Sequence, residues 1–175
     1  GPFREGGAMG LDRERQVAFL EAHIEQGPRL EASGTKVGVV TGIVGIRRFR
    51  VTARGQADHA GTTPMGMRKD AAATLFNLAV LTEREFPKIG GPDTVWNAGT
   101  FALHPGAAPV EPSTDDLQIE FRDTASETLD ALERSFIGSV DEASRGQVKV
   151  GAVPTARIAP AAMSSTLGAA LTEAA

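Results

Sequence analysis

The hydrophobic pattern changes period several times along the chain. Val17, Leu20 and Ile24 recur at helical spacing, which predicts a helix over 12–26 that stops at Gly27-Pro28. Residues 29–34 read as a loop ending at Gly34. Val37–Val44 is apolar and β-branched, broken by Gly38 and Gly42. Phe49, Val51 and Ala53 then alternate with Arg48, Arg50, Thr52 and Arg54, the mark of a half-buried strand. A polar loop from Gly55 to Pro64 leads into an expected long helix, Met65–Phe86, with Ala72, Leu75, Leu78, Ala79 and Thr82 on one side. Val95–Leu103 predicts a strand. Leu117, Ile119 and Phe121 alternate with Gln118, Glu120 and Arg122 in another one-sided strand. Ser126–Ala143 predicts a helix with Leu129, Leu132, Phe136 and Val140 inward, and Gln147–Val153 a last strand. A short Ala-rich helix is expected within 160–175.

From 46 to 153 this order is β-α-β-β-α-β, the split-βαβ, ferredoxin-like α+β pattern. It implies an antiparallel sheet with both helices on one face. The other face then has to be covered or built from polar side chains.

Composition narrows the function classes. The chain has 175 residues, the size of one domain, with 41 % hydrophobic and 23 % charged residues. A net charge of −4 argues against a nucleic-acid partner, which favours a basic face. No apolar run approaches the roughly 18 residues of a membrane helix, so no membrane partner is expected. The absence of Cys rules out disulfides and thiolate metal sites and fits a cytoplasmic protein. The Gly-rich opening, 1–10, has no apolar signal core and reads as disordered or as a tag remnant. A chain opening on Gly1 suggests processing or a piece of something longer.

Three His stand at 23, 59 and 104. Imidazole is the commonest ligand for zinc-like metals, but His23 has no second His within helical reach, and a lone His at a helix end is more often structural. His59 lies in Asp58-His59-Ala60-Gly61-Thr62-Thr63-Pro64, before an expected helix start. Thr62 or Thr63 can cap that helix, and a His there can stabilise charge developing on a carbonyl oxygen. The alternative is a capping loop with an incidental His. His104, before Pro105, reads as a loop residue. Arg122 projects from a strand and suits bidentate binding of a carboxylate; its alternative is a surface ion pair with Asp123 or Asp115.

Two strings alter these odds. His23-Ile24-Glu25-Gln26-Gly27-Pro28 with Leu30-Glu31, and Gly55 through Asp70 with His59-Ala60-Gly61-Thr62-Thr63-Pro64-Met65 and Arg68, resemble blocks of the amidase/hydantoinase/carbamoylase family. Gly38-Val39-Val40-Thr41-Gly42-Ile43 fits between them, and the likeness runs over roughly 15–175. The family belongs to the zinc aminoacylase and carboxypeptidase clan. The resemblance implies a catalytic domain holding two divalent metals (zinc, manganese, cobalt or nickel) and a ferredoxin-like lid that makes a homodimer. It implies hydrolysis of carbamoyl or ureido C–N bonds, as in N-carbamoyl-L-amino acids, β-ureidopropionate or allantoate. The metals activate water, and a Glu moves the proton.

Position by position, the resemblance makes His23 a metal ligand and Gln26 a substrate contact. It makes His59 the lid His that polarises the substrate carbonyl, often in the partner subunit's site, and Arg122 the grip on a substrate carboxylate. The family often has an Asn thirteen residues before that Arg, where this chain has Pro109, which offers no amide side chain. The remaining metal ligands and the base Glu belong to regions upstream of His23 and downstream of the lid. The expected organisation is therefore 11–36 from the catalytic domain, 37–153 as lid and 154–175 as a return segment, inactive alone. The other readings are an aminoacylase or dipeptidase of the same clan, or a non-enzymatic ferredoxin-like dimerisation module.

Overall fold

The computed structural model describes residues 17–174, so the expected disorder of 1–10 lies outside the described residues. The chain divides into two compact units, one ending at Gly38 and one beginning at Val39. Each is described by itself.

In the first unit, 17–26 forms no helix, contrary to expectation; 12–16 lie outside the described residues. Val17, Leu20 and Ile24 are exposed. A helix this short owes its stability to burying its apolar stripe, and these side chains are not buried. The helix forms instead in the expected loop, as α1, Arg29–Ser33. The Glu25 carboxylate accepts from the amides of Arg29 at 2.8 Å and Leu30 at 2.9 Å, supplying acceptors to its first turn. Gly34, at φ 67, closes it in the left-handed conformation.

The second unit is an α+β domain around an antiparallel sheet. Its elements are β1 (Gly42–Ile43), β2 (Gly45–Arg54), α2 (Ala71–Glu85), β3 (Val95–Ala102), β4 (Thr114–Asp123), α3 (Ser126–Ala143), β5 (Lys149–Ile158), β6 (Ala161–Ala162) and α4 (Ser165–Ala174). The large sheet has the order β3-β4-β2-β5, and β1 pairs separately with β6. From β2 to β5 this is the ferredoxin-like arrangement expected from the pattern. Phe49, Val51 and Ala53 of β2 and Leu117, Ile119 and Phe121 of β4 turn inward. They meet Leu75 and Leu78 of α2 and Leu129, Leu132 and Phe136 of α3. Phe121 packs edge-on against Phe86 with centroids 5.2 Å apart. The opposite sheet face carries Arg48, Arg50, Thr52 and Arg54 beside Asp116, Gln118, Glu120 and Arg122. Its polarity is what an uncovered antiparallel face requires.

Two boundaries differ from the pattern. The expected helix Met65–Phe86 is split into a 3-10 turn, Met65–Met67, an extended Arg68 at ψ 141, and α2. Asp70 starts α2 by accepting from the Ala73 amide at 2.9 Å. The last strand runs past Pro154 to Ile158 because it follows β2 along its whole length. β5 is an edge strand, where a missing N–H is tolerated, and the register shifts opposite Arg48/Phe49 to accommodate it.

Candidate functional site

The His59 loop begins where β2 meets the segment before α2. A Cβ on Gly55 would sit 1.8 Å from the Lys69 carbonyl oxygen, so only glycine admits the crossing. Residues 55–60 then run against 109–113. The Gly55 amide donates to Ser113 O at 2.8 Å, Glu111 N to Asp58 O at 2.8 Å and Ala60 N to Pro109 O at 2.9 Å. His59 itself bridges to Val110. Neither Thr62 nor Thr63 caps a helix, and Pro64 precedes only the 3-10 turn. His59 therefore does not stand at an α-helix N-terminus, as the spacing suggested; Asp70 took the capping role.

The ring of His59 is oriented by its own loop. The Gly61 amide donates to Nδ1 at 3.0 Å. An N–H can donate only to a nitrogen with a free lone pair, so in the neutral ring the proton sits on Nε2. His59 thus presents an N–H donor on an exposed residue. A Cβ on Gly61 would lie 3.1 Å from the ring's Cε1, which explains the small residue there.

Arg68 clamps the same loop. Its Nη2 donates to Ala60 O at 2.5 Å and its Nε to Thr63 O at 3.1 Å. Behind it lies Glu111, 2 % exposed, with Oε1 2.9 Å from Arg68 Nε. Among the described residues neither Glu111 oxygen accepts a well-directed hydrogen bond, because the Nε–H aims at Thr63 O. The contact is an ion pair held by charge.

Arg122 is paired, but with neither Asp123 nor Asp115. Its Nε donates to Glu120 Oε1 at 2.6 Å, and Arg48 Nε donates to Glu120 Oε2 at 2.5 Å. Along a strand, residues two apart share a face, so Glu120 and Arg122 both lie on the uncovered side while Asp123 turns inward. Burial pushes the Glu120 carboxyl up, but the bonds from Arg122 and Arg48 outweigh it and hold the group below its ordinary range. The inward Asp123 instead accepts from Thr94 and from the Ala125 amide just before α3.

In the first unit, Nδ1 of His23 lies 2.6 Å from the Ile24 carbonyl oxygen. A carbonyl only accepts, so Nδ1 bears the proton and Nε2 keeps its lone pair. Gln26 is a non-glycine residue in the left-handed region, at φ 54. That conformation costs roughly 1–2 kcal/mol. Among the described residues, no group of three or more His, Asp or Glu converges to hold a metal ion. The side chains on view do not make a two-metal centre. His104 is a loop residue, as expected; its amide donates to Asp115 Oδ1 at 2.8 Å. The other oxygen of Asp115 is buried with no hydrogen-bond partner among the described residues, and burial raises that carboxyl.

His59 and Arg122 are not brought together in one copy of the chain. His59 pairs with Val110, beyond the Thr114 end of β4, and Arg122 stands at the other end. From Thr114 to Arg122 the strand alone covers about 26 Å, at roughly 3.3 Å per residue. Arg48, Glu111 and Glu120 had no assigned part in the sequence reading, and Arg68 appeared there only as a motif position. The alternation of β2 and β4 marks Arg48 and Glu120 as same-face neighbours once the pairing is known. Glu111, between Val110 and Pro112, has no such signal.

No family model matches the chain. It is 36 % identical over 159 residues to an N-carbamoyl-L-amino-acid amidohydrolase of Paenarthrobacter aurescens, covering 90 % of this chain and 38 % of that protein. It is 41 % identical over 113 residues to a ureidoglycolate hydrolase of Oryza sativa subsp. japonica, covering 65 % of this chain and 23 % of that protein. The crystal structure of an amidase of the hydantoinase/carbamoylase family from Burkholderia phymatum superposes with a TM-score of 0.87 at 42 % identity. That match covers 94 % of this chain and 41 % of the other. The chain thus spans less than half the length of these relatives. Among the described residues, no helix is long and apolar enough to cross a membrane.

Proposed function

Because the chain belongs to the hydantoinase/carbamoylase family of amidases over the segment it shares with them, we propose that it supplies the lid side of a metal-dependent amidohydrolase. The proposed reaction is hydrolysis of the carbamoyl or ureido C–N bond of an N-carbamoyl amino acid or an allantoate-like substrate. The observation that carries this is the His59 ring, held by the Gly61 amide with Nε2–H outward. That N–H is a donor for a substrate carbonyl oxygen as negative charge builds on it.

Arg122 takes the substrate carboxylate in this reading. Glu120 engages its Nε and Nη2, leaving the Nη1 side of the fork for a second carboxylate. Gln26 is the substrate contact of the first unit, and its left-handed backbone is the kind of strain that collects at binding sites. His23 contributes one metal ligand through its free Nε2 lone pair. Two divalent metals (zinc, manganese, cobalt or nickel) would supply the activated water, held mostly by residues other than those described.

Homodimerisation belongs to the same reading, with each lid reaching a neighbouring site. The separation of His59 from Arg122 favours it, since one copy does not bring both to a single small substrate. The exposed Phe76 and Val80 on α2 and the outer edge of β3, unpaired among the described residues, supply a surface for it. The test is ammonia release from N-carbamoyl-L-amino acids with manganese or zinc supplied. The chain alone is expected to be inactive, and turnover by it would overturn the placing of the metal centre elsewhere. In the full-length protein, His59→Ala is expected to lower kcat by roughly 100-fold, the scale of one lost oxyanion donor.

A further inference from the structure

We infer that Arg68 and Glu111 are positioning residues that keep His59 in its Nε2–H-donating orientation, an inference resting on the reading of His59 as the carbonyl-polarising group. The 58–63 loop contains no helix, and its one strand-like contact is the His59–Val110 bridge. The Arg68 guanidinium takes the carbonyls on both sides of the Gly61 amide, Ala60 O at 2.5 Å and Thr63 O at 3.1 Å. Gly61 N is therefore pinned between two anchored carbonyls while it donates to Nδ1.

Glu111 keeps the guanidinium in place. Its carboxylate is buried, and among the described residues its oxygens have no other partner and its negative charge faces only Arg68. A buried charge of this kind holds its counter-ion strongly, because withdrawal leaves it uncompensated. The backbone of Glu111 is tied to the same loop, through its amide to Asp58 O at 2.8 Å. One residue thus fixes both the loop's edge and the arginine that grips its middle. A lysine at 68 keeps the charge facing Glu111 but lacks the planar fork that spans two carbonyls.

The test is made on this chain by NMR, through the ring nitrogens of His59 and hydrogen exchange of the Gly61 amide. The wild type is expected to show Nδ1 unprotonated, Nε2 protonated and a protected Gly61 amide. In Arg68→Lys and Glu111→Gln the Nε2–H tautomer is expected to fall towards the free-imidazole mixture, and Gly61 exchange to rise about tenfold, with β2 and β4 amides unchanged. In the full-length protein both variants are expected to lower kcat roughly 10–100-fold, the scale seen for outer-shell partners, with KM little changed. Folded variants with unaltered ring nitrogens and Gly61 exchange would overturn the inference. Should Glu111→Gln fail to fold, Arg68→Lys carries the same readout. A wild type with Nδ1–H or a freely exchanging Gly61 overturns it without any variant. Activity that survives His59→Ala sinks the functional reading instead, while the NMR outcome still decides the positioning.

Discussion

The Gly61 amide lies 3.0 Å from His59 Nδ1, so a loop residue two positions on decides which ring nitrogen faces outward. Gly61→Ala puts a methyl 3.1 Å from the ring's Cε1. The ring has to move by a few tenths of an ångström while the core stays untouched. The expected result is a thermal midpoint close to wild type, altered His59 ring shifts and, in the full-length protein, a lower kcat. An unchanged ring spectrum would show that the loop absorbs the methyl.

Glu120 ties Arg48 and Arg122 together. Its folded pKa is lowered, so its contribution to stability is present above the unfolded carboxyl value and lost as pH falls through the folded one. Arg122 is 42 % exposed and solvent screens the pair, so Glu120→Gln is expected to cost only about 0.5–1 kcal/mol at pH 7. The difference from wild type should shrink as the solution is acidified. Urea denaturation at neutral and acid pH measures it.

Asp115 runs the other way. Its folded pKa is raised, chiefly by burial, so its favourable contribution is complete below the unfolded value and lost as pH rises through the folded one. Asp115→Asn keeps an oxygen for the His104 amide and removes the buried charge. Relative to wild type, the variant is expected to gain stability between acid and neutral pH. Denaturation curves that run parallel across that range would contradict this.

Pro109 offers its carbonyl to Ala60 and stands beside the His59 bridge. Pro109→Asn leaves that carbonyl in place and adds a side-chain amide at the position where the family often has one. In the full-length protein the expected outcome is a change of several-fold or more in relative kcat/KM across a panel of carbamoyl and ureido substrates, with the fold retained. A uniform effect on every substrate would argue against a role in selection.

Phe76 stacks on Phe101 with centroids 4.6 Å apart yet remains half exposed on α2, near Val80 in helical register. A Phe76→Glu/Val80→Glu double variant should fold, since both side chains face outward. It is expected to shift a dimer to monomer in light scattering. A dimer that persists would place the contact elsewhere.

The core of the domain was legible because its apolar positions are periodic over long stretches. Leu129, Leu132, Phe136 and Val140 line the buried stripe of α3, and Phe49, Val51 and Ala53 turn inward as their alternation required. The pattern failed where side chains rather than periodicity decide. Arg68 leaves helical geometry as its guanidinium turns back to Ala60 and Thr63, so Met65–Phe86 is not one helix. Val17, Leu20 and Ile24 have the period of a helix but are exposed. At the site, His59 stood out by residue type. Glu111 is defined by a contact 43 positions back in the chain, between segments that no local pattern pairs.

Pro154 has a further consequence at the margin of the sheet. A strand offering its free side to a newcomer needs a continuous row of donors, and β5 lacks one at Pro154 and shifts register beside it. The β3 margin also shifts register, between Ala98 and Thr100, but has no proline, so Pro154 is what distinguishes the two margins as templates. Growth of the sheet by strand addition is hindered at the β5 margin, where Pro154 withholds a donor.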